Sequence, residues 1–272
     1  MELDELMEKL RKNSEIGLSA QRTQTQTCPK CSGSGWLIRF DAQGREVVRA
    51  CECRLNEARQ SVIRQATLPK RFDGDSLKQT LASVYPERDR AEFVTGCKAI
   101  QQWVDMFSKD TDVGFYLYSH TKGSGKTRMA VAIAKAILEK NEKTDDVNEF
   151  IKVKFITAAD ILTAIKSTWN NSEAMTEEEL LYKLTTVDLL VIDDFGMEKV
   201  NDWVNEKIFQ IVNDRYSNKK PMILTSNLSI EECKYDERIW NRLMECSIPL
   251  HFPEHSVRKD MAERRMEGLL NG

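Results

Sequence analysis

Gly123-Ser124-Gly125-Lys126-Thr127 and Val187-Asp188-Leu189-Leu190-Val191-Ile192-Asp193-Asp194 are the two stretches on which the reading turns, with Asp193 lying 67 residues beyond Lys126. The first has the composition of a phosphate loop. Its glycines let the backbone curl so that successive N–H groups point inward, at the start of a helix whose positive end favours an anion. In such a loop Gly123, Ser124 and Gly125 form the cradle, Lys126 reaches the β- and γ-phosphates, and the Thr127 hydroxyl ligates Mg²⁺. The second stretch is an apolar strand ending in two carboxylates, which can hold Mg²⁺ through its water shell and orient an attacking water. Together they predict an ATP site and ATP hydrolysis.

The flanking sequence provides the setting such a loop requires. Phe115-Tyr116-Leu117-Tyr118 reads as a strand entering it. A mostly buried helix over 127–140, with Met129, Val131, Ile133, Ala134, Ile137 and Leu138, reads as leaving it. One position departs from the pattern G-x-x-x-x-G-K-[ST]: His120 stands where the first glycine is called for. It reads as a variant, or as a one-residue lengthening of the turn.

At 272 residues and 31.3 kDa the chain can hold one medium domain and a smaller module. Hydrophobic residues make up 41% and charged residues 31%, enough for a core and a water-compatible surface. A net charge of −3 predicts no strong nucleic-acid affinity for the chain as a whole, although residues 1–71 carry 13 Lys/Arg against 9 Asp/Glu. The acidic start Met1-Glu2-Leu3-Asp4-Glu5 is unlike a signal peptide, and no apolar run approaches membrane-spanning length. A cytoplasmic protein with no membrane partner is the expectation, so the seven cysteines read as thiols or metal ligands.

Four of those cysteines cluster as Cys28-Pro-Lys-Cys31 and Cys51-Glu-Cys53, the outline of a tetrahedral Cys₄ zinc site. Between the pairs, Trp36–Phe40, a polar turn around Gly44 and Glu46–Arg49 predict a hairpin. Four thiolates leave no open position for water, so the expected zinc is structural. With few large apolar side chains nearby, metal binding would supply the module's folding energy.

Leu3, Leu6, Met7 and Leu10 predict an amphipathic helix within 1–20, and 23–27 is a polar linker. A helix over 55–66 leads to the break Leu68-Pro69-Lys70-Arg71-Phe72, which divides the chain into domains at 1–66 and 67–272. Downstream the pattern predicts helix 89–107, strand 151–156, helices 158–169 and 177–184, strand 187–192, helix 202–216, strand 222–226, helix 236–244, strand 248–252 and a basic helix near 256–269. Such alternation implies an α/β fold, a parallel sheet sandwiched by helices, with ligands beyond the carboxyl ends of the strands. Asn227, just after strand 222–226, could position the attacking water or merely cap its turn. Spacing does not select among Arg238, Arg242 and Arg258 as the arginine facing the γ-phosphate. Lys166 and Trp169 share a helix face, the minimum for stacking single-stranded nucleic acid, though Trp169 could equally be core.

Over roughly 66–260 the chain resembles the AAA+ ATPases of the DnaC/DnaI type, loaders of the replicative helicase within the IstB-like superfamily. The likeness rests on Leu68–Phe72, Leu117–Thr127, Ala159-Asp160-Ile161-Leu162 through Trp169, Val187–Gly196, Asn213-Asp214-Arg215-Tyr216, Thr225-Ser226-Asn227-Leu228, Arg238–Leu243 and Ser256-Val257-Arg258. The resemblance implies an AAA+ P-loop fold with Lys126 and Thr127 as Walker A ligands and Asp193 as the Walker B magnesium residue. It makes Asp194 the water-activating carboxylate, in a place where many relatives have Glu. It further implies Asn227 as sensor 1, Arg242 as an arginine finger acting in trans, Arg258 as sensor 2, and Lys166 and Trp169 as contacts to single-stranded DNA. Implied partners are the replicative hexameric DNA helicase, bound through the zinc module, single-stranded DNA, and further copies in an ATP-dependent oligomer. IstB-type transposition helpers share the same core and are the alternative. A non-hydrolysing adaptor that blocks the helicase fits less well with Lys126, Asp193, Asp194, Asn227 and Arg242 all present.

Overall fold

The computed structural model describes residues 28–83, 87–169 and 175–270. The helix expected within 1–20 and the linker at 23–27 lie outside the described residues. Two compact units are present, one through Gln60 together with Asp145–Asn148, the other comprising Ser61–Thr144 and the chain from Glu149 onward.

The first unit contains the expected hairpin. Strands β1 (Trp36–Phe40) and β2 (Glu46–Ala50) pair antiparallel, with Trp36 opposite Ala50 and Phe40 opposite Glu46. Asp41 closes the turn: its Oδ1 accepts the N–H groups of Gln43 and Arg45, both at 2.9 Å, and its Oδ2 accepts from Arg45 Nε at 2.7 Å. Helix α1 (Glu52–Ala66) starts inside the second cysteine pair, and the Arg54 guanidinium lies 4.1 Å from the centroid of the Trp36 ring.

In the second unit β3 (Gly114–Tyr118), β4 (Val153–Thr157), β5 (Leu189–Asp193), β6 (Met222–Ser226) and β7 (Ser247–His251) form one parallel sheet in the order β4-β5-β6-β3-β7. The helices are α2 (Leu77–Ser83), α3 (Glu87–Met106), α4 (Lys126–Glu139), α5 (Ala158–Thr168), α6 (Glu177–Thr186), α7 (Asp202–Ser217), α8 (Glu237–Cys246) and α9 (Val257–Leu270). Side chains of a strand alternate between faces. Phe115, Leu117, Leu189, Val191 and Ile223 accordingly pack into one core with Ile100 of α3 and Ile133 of α4. Tyr116, Leu190, Ile192, Met222 and Leu224 pack into a second core with Ile161 of α5, Ile208 of α7 and Ile239 of α8. Both faces of the three inner strands are buried, which is why those strands read as continuous apolar runs. Edge strand β7 is mostly exposed and tolerates Pro249.

Most expected elements are present within a few residues of their predicted ends. Strand 151–156 starts instead at Val153, because Asn141 draws Ile151 off the ladder: its Oδ1 accepts the Ile151 N–H at 2.7 Å and its Nδ2 donates to the Ile151 carbonyl at 2.9 Å. Strand 187–192 starts at Leu189, since Asp188 turns to accept the Lys152 N–H at 2.9 Å and Lys220 Nζ at 3.1 Å. Helix α2 was not expected. Its one sequence signal is the pair Ser76 and Gln79, whose side chains each accept the other's backbone N–H at 3.3 Å.

Two cations on α4 grip the chain just before α2. Arg128 forms a two-pronged ion pair with Asp75 at 2.7 and 2.5 Å. Lys135 Nζ donates to the carbonyls of Phe72, Asp73 and Asp75 at 2.9, 2.6 and 2.8 Å. Elsewhere Arg215 is wholly buried and donates to the carbonyls of Leu184, Thr185, Val187 and Pro221 at 2.7–3.3 Å, binding the end of α6 to the entry of β6. Asn213–Tyr216, one of the segments that carries the family resemblance, is thus framework at Arg215.

Candidate nucleotide-binding site and cysteine centre

The carboxyl ends of β3, β5, β6 and β7 converge where the glycine loop and the acidic pair meet. Gly123 and Gly125 hold φ values of +82° and +95°, a region that penalises any side chain. A Cβ on Gly123 would lie 3.0 Å from Arg258 Cβ and 3.1 Å from Ser256 Oγ, so the start of α9 closes over the loop. Lys126 folds inward, its Nζ donating to the carbonyls of Ser119 at 3.1 Å and Thr121 at 3.2 Å and to Ser124 Oγ at 3.2 Å. Burial pushes this ammonium down to about 8, against the pull of the Glu254, Asp194 and Asp193 carboxylates.

Thr127 and Asp193, expected to share Mg²⁺, are in direct contact: Thr127 Oγ1 donates to Asp193 Oδ1 at 2.7 Å. Adjacent oxygens around octahedral Mg²⁺ sit about 3 Å apart, so the pair fits that ion without rearrangement. Burial raises the Asp193 carboxyl, partly offset by hydrogen bonds from Thr225 and Thr127 and, more weakly, by the charge of Arg71. Thr225 is the residue the sequence did not reveal. Its hydroxyl donates to Asp193 Oδ1 at 2.6 Å and accepts the Asp194 backbone N–H at 3.0 Å, so the neighbouring strand orients the Asp193 carboxylate and pins the backbone of Asp194. Asp194 adopts φ +55°, a left-handed conformation that Asp enters more readily than most residues.

The other expected site residues divide into two groups. Asn227 follows β6, which lies between β5 and β3, so it stands at the same end of the sheet as Asp193 and the loop. Arg258 opens α9 and donates its N–H to the Gly123 carbonyl at 3.4 Å. Arg242 is not brought to the loop. Its guanidinium lies 4.8 Å from the Phe209 ring centroid and 5.7 Å from that of Tyr216, and its Nε donates to Asn213 at 3.1 Å. Arg238 pairs with Asp236 and also faces Phe209. Both arginines thus line the surface of α7.

His120 does not lengthen the turn freely. Its N–H donates to Glu254 Oε1 at 2.9 Å, and the Thr121 N–H donates to Glu254 Oε2 at 2.7 Å.

Lys166 and Trp169 are together on the surface, and Trp169, 59% exposed, is not core. Trp203 joins them: the Trp169 and Trp203 rings meet edge to face at 5.5 Å, and Lys166 Nζ lies 5.0 Å from the Trp203 centroid. Trp169 Nε1 also donates to Glu177 at 3.2 Å. Only the fold joins Trp203, on α7, to a pair carried by α5 and its cap.

The four expected zinc ligands converge. All four sulfurs of Cys28, Cys31, Cys51 and Cys53 lie within 4.8 Å of one another, with Cys28–Cys51 at 3.9 Å and Cys31–Cys53 at 3.5 Å. Zn–S bonds of about 2.3 Å in a tetrahedron require sulfur separations of about 3.8 Å, so the set fits zinc. The Gly35 N–H donates to Cys31 Sγ at 3.3 Å. Among the described residues it is the only such group of potential metal ligands.

A family model described as IstB-like ATP binding protein matches residues 117–240, the span holding the glycine loop, the acidic strand and Thr225. Those residues are thus similar to IstB-like ATP binding proteins. The replicative helicase loader DnaC of Escherichia coli (strain K12) is 34% identical over 145 residues, covering 53% of this chain and 54% of the relative. The chain therefore spans about half the length of the curated DnaC relatives it matches. The phage-like element PBSX protein XkdC of Bacillus subtilis (strain 168) is 23% identical over 257 residues, covering 90% of each. Among solved structures, the DnaC helicase loader aligns with a TM-score of 0.55 and 24% identity over 68% of this chain and 100% of that one. DnaI aligns with a TM-score of 0.54 and 18% identity over 71% and 99%. The sheet-bearing unit thus has an AAA+ P-loop fold like that of these structures. No helix among the described residues is long and apolar enough to cross a membrane.

Proposed function

We propose that this protein is an ATP-dependent loader of a replicative hexameric DNA helicase onto single-stranded DNA. The observation that supports the reading is the Thr127–Asp193 contact, the arrangement that the magnesium corner of an ATP site needs, in a chain 34% identical over 145 residues to a helicase loader. Residues 67–272 form the ATPase domain and residues 1–66 the helicase-binding domain, folded around zinc held by Cys28, Cys31, Cys51 and Cys53. Gly123, Ser124, Gly125 and Lys126 hold the phosphates, and Thr127 and Asp193 hold magnesium. Asp194 takes the proton of the attacking water, Asn227 orients that water, and Arg258 faces the phosphates from α9. Arg242, on a surface away from its own loop, serves the site of a neighbouring copy, so hydrolysis awaits an ATP-dependent oligomer. Lys166 and Trp169, with Trp203, stack the bases of single-stranded DNA. Hydrolysis then accompanies release, and the protein works in the cytoplasm.

The test is co-purification of the full chain with the replicative helicase of its own cell, with and without ATP. A complex in either condition is expected, and Arg242→Ala should bind ATP normally while turnover in the assembled state falls. The IstB-like match favours a second reading, a transposition helper ATPase. Failure to form a helicase complex in both conditions would transfer the assignment to it.

A further inference from the structure

Glu254 lies outside every motif above, in the turn between β7 and α9, yet it is the residue that holds the entrance of the phosphate loop. Because β7 pairs with β3, with His251 opposite Tyr118, the chain leaving β7 runs beside the chain entering the loop. The Phe252 N–H continues the pairing to the Tyr118 carbonyl at 2.7 Å. Two residues on, the Glu254 carboxylate accepts the consecutive N–H groups of His120 and Thr121, one on each oxygen, at 2.9 and 2.7 Å. His251 Nε2 lies 2.9 Å from Glu254 Oε1 and steadies the carboxylate from behind. Burial would raise this carboxyl, but the bonds from Thr121, His120 and His251 prevail and hold it down to about 2.

Two consecutive N–H groups aimed at one anion form a small nest. In this nest the anion belongs to the protein itself. The pattern calls for glycine at position 120, where a backbone without Cβ makes the turn unaided. Here His120 keeps a negative φ, and the bound carboxylate fixes the turn instead. The same turn leads within four residues to Arg258, whose N–H meets Gly123, so the loop is held from the α9 side at its entrance and at its middle.

We infer that Glu254 is a positioning residue for nucleotide binding: its carboxylate replaces the missing first glycine of the loop and couples the loop to the start of α9. The inference rests on the ATP site proposed above. It opposes the simplest electrostatic expectation. Glu254 places a negative charge within reach of Lys126, where phosphates must come, so charge repulsion alone predicts that removing it tightens ATP binding. Positioning predicts the opposite sign.

The experiment is titration calorimetry of the full chain with ATP and Mg²⁺. Glu254→Gln keeps the shape and one acceptor oxygen but turns an NH₂ group toward the other N–H, and affinity should fall about tenfold. His120→Gly in the same chain restores the turn without the carboxylate and should return affinity to within about threefold of the parent. The melting temperature of nucleotide-free Glu254→Gln should stay within about 2 °C of the parent. Unchanged or tighter binding by Glu254→Gln overturns the inference. So does failure of His120→Gly to restore binding, or a larger fall in melting temperature, which would make Glu254 a stability residue. Absence of ATP binding by the parent, measured in parallel, overturns the nucleotide site itself, so the two failures are told apart.

Discussion

The cysteine module and the sheet-bearing unit solve the problem of staying folded in opposite ways. In the module Phe40 is 69% exposed and Ile38 and Val48 also face solvent, while the buried side chains include Cys31 and Cys51. In the sheet-bearing unit two apolar cores cover both sheet faces, and even Arg215 is sealed inside. A module whose thiols occupy its interior depends on what the thiols bind. A sheet packed on both faces depends chiefly on burial. One should therefore be removable by chemistry that leaves the other standing.

The strongest way to break that contrast is to take the proposed zinc ligands away. Cys28→Ser with Cys31→Ser should lower bound zinc from about one ion per chain to none and unfold the hairpin, as read by metal analysis and limited proteolysis. The sheet-bearing unit should keep its melting transition. Zinc content unchanged in the purified double variant would end the assignment of the centre.

Arg215→Met strikes the other side. Four backbone carbonyls lose their donor, and the sheet-bearing unit should lose about 3–5 kcal/mol in denaturant unfolding while zinc content stays put. Lys126→Ala sharpens the contrast without unfolding either unit. ATP affinity should fall about a hundredfold or more by calorimetry, since a buried charge-assisted contact to phosphate is lost. Full affinity in that variant would contradict the site. The smallest effect is expected from Asp75→Asn, which weakens the two-pronged pair with Arg128. That pair is partly solvated, so the loss should be about 1 kcal/mol, read as a shift of the denaturant midpoint.

The two regions were also legible in the sequence for different reasons. The cysteine centre declared itself because ligand chemistry fixes residue type and spacing together, and the hairpin follows from where the two pairs must meet. The sheet declared itself through the apolar runs of β5 and β6, and the phosphate loop through its glycines. What escaped were residues acting across the sheet. Thr225 sits in an ordinary strand, and only the adjacency of β5 and β6 brings its hydroxyl to Asp193 and Asp194. Glu254 is separated from His120 by 134 residues, and only the pairing of β3 with β7 joins them. Trp203 reaches Trp169 in the same long-range manner. The odd histidine at 120 was the one visible trace, a local rule broken with its compensation far along the chain.

The grip of Lys135 on Phe72, Asp73 and Asp75 uses main-chain carbonyls alone, and every residue type has one. A mutational scan of that stretch should therefore be lopsided. Position 73 should accept many substitutions with the grip intact, whereas Lys135 should accept few and Phe72 and Asp75 are tied further by their own side chains, to the core and to Arg128. Over generations position 73 can drift in sequence and still stay tied to the helix that starts at the phosphate loop. A comparison of sequences alone would then find the hand conserved and one of the positions it holds apparently unconstrained.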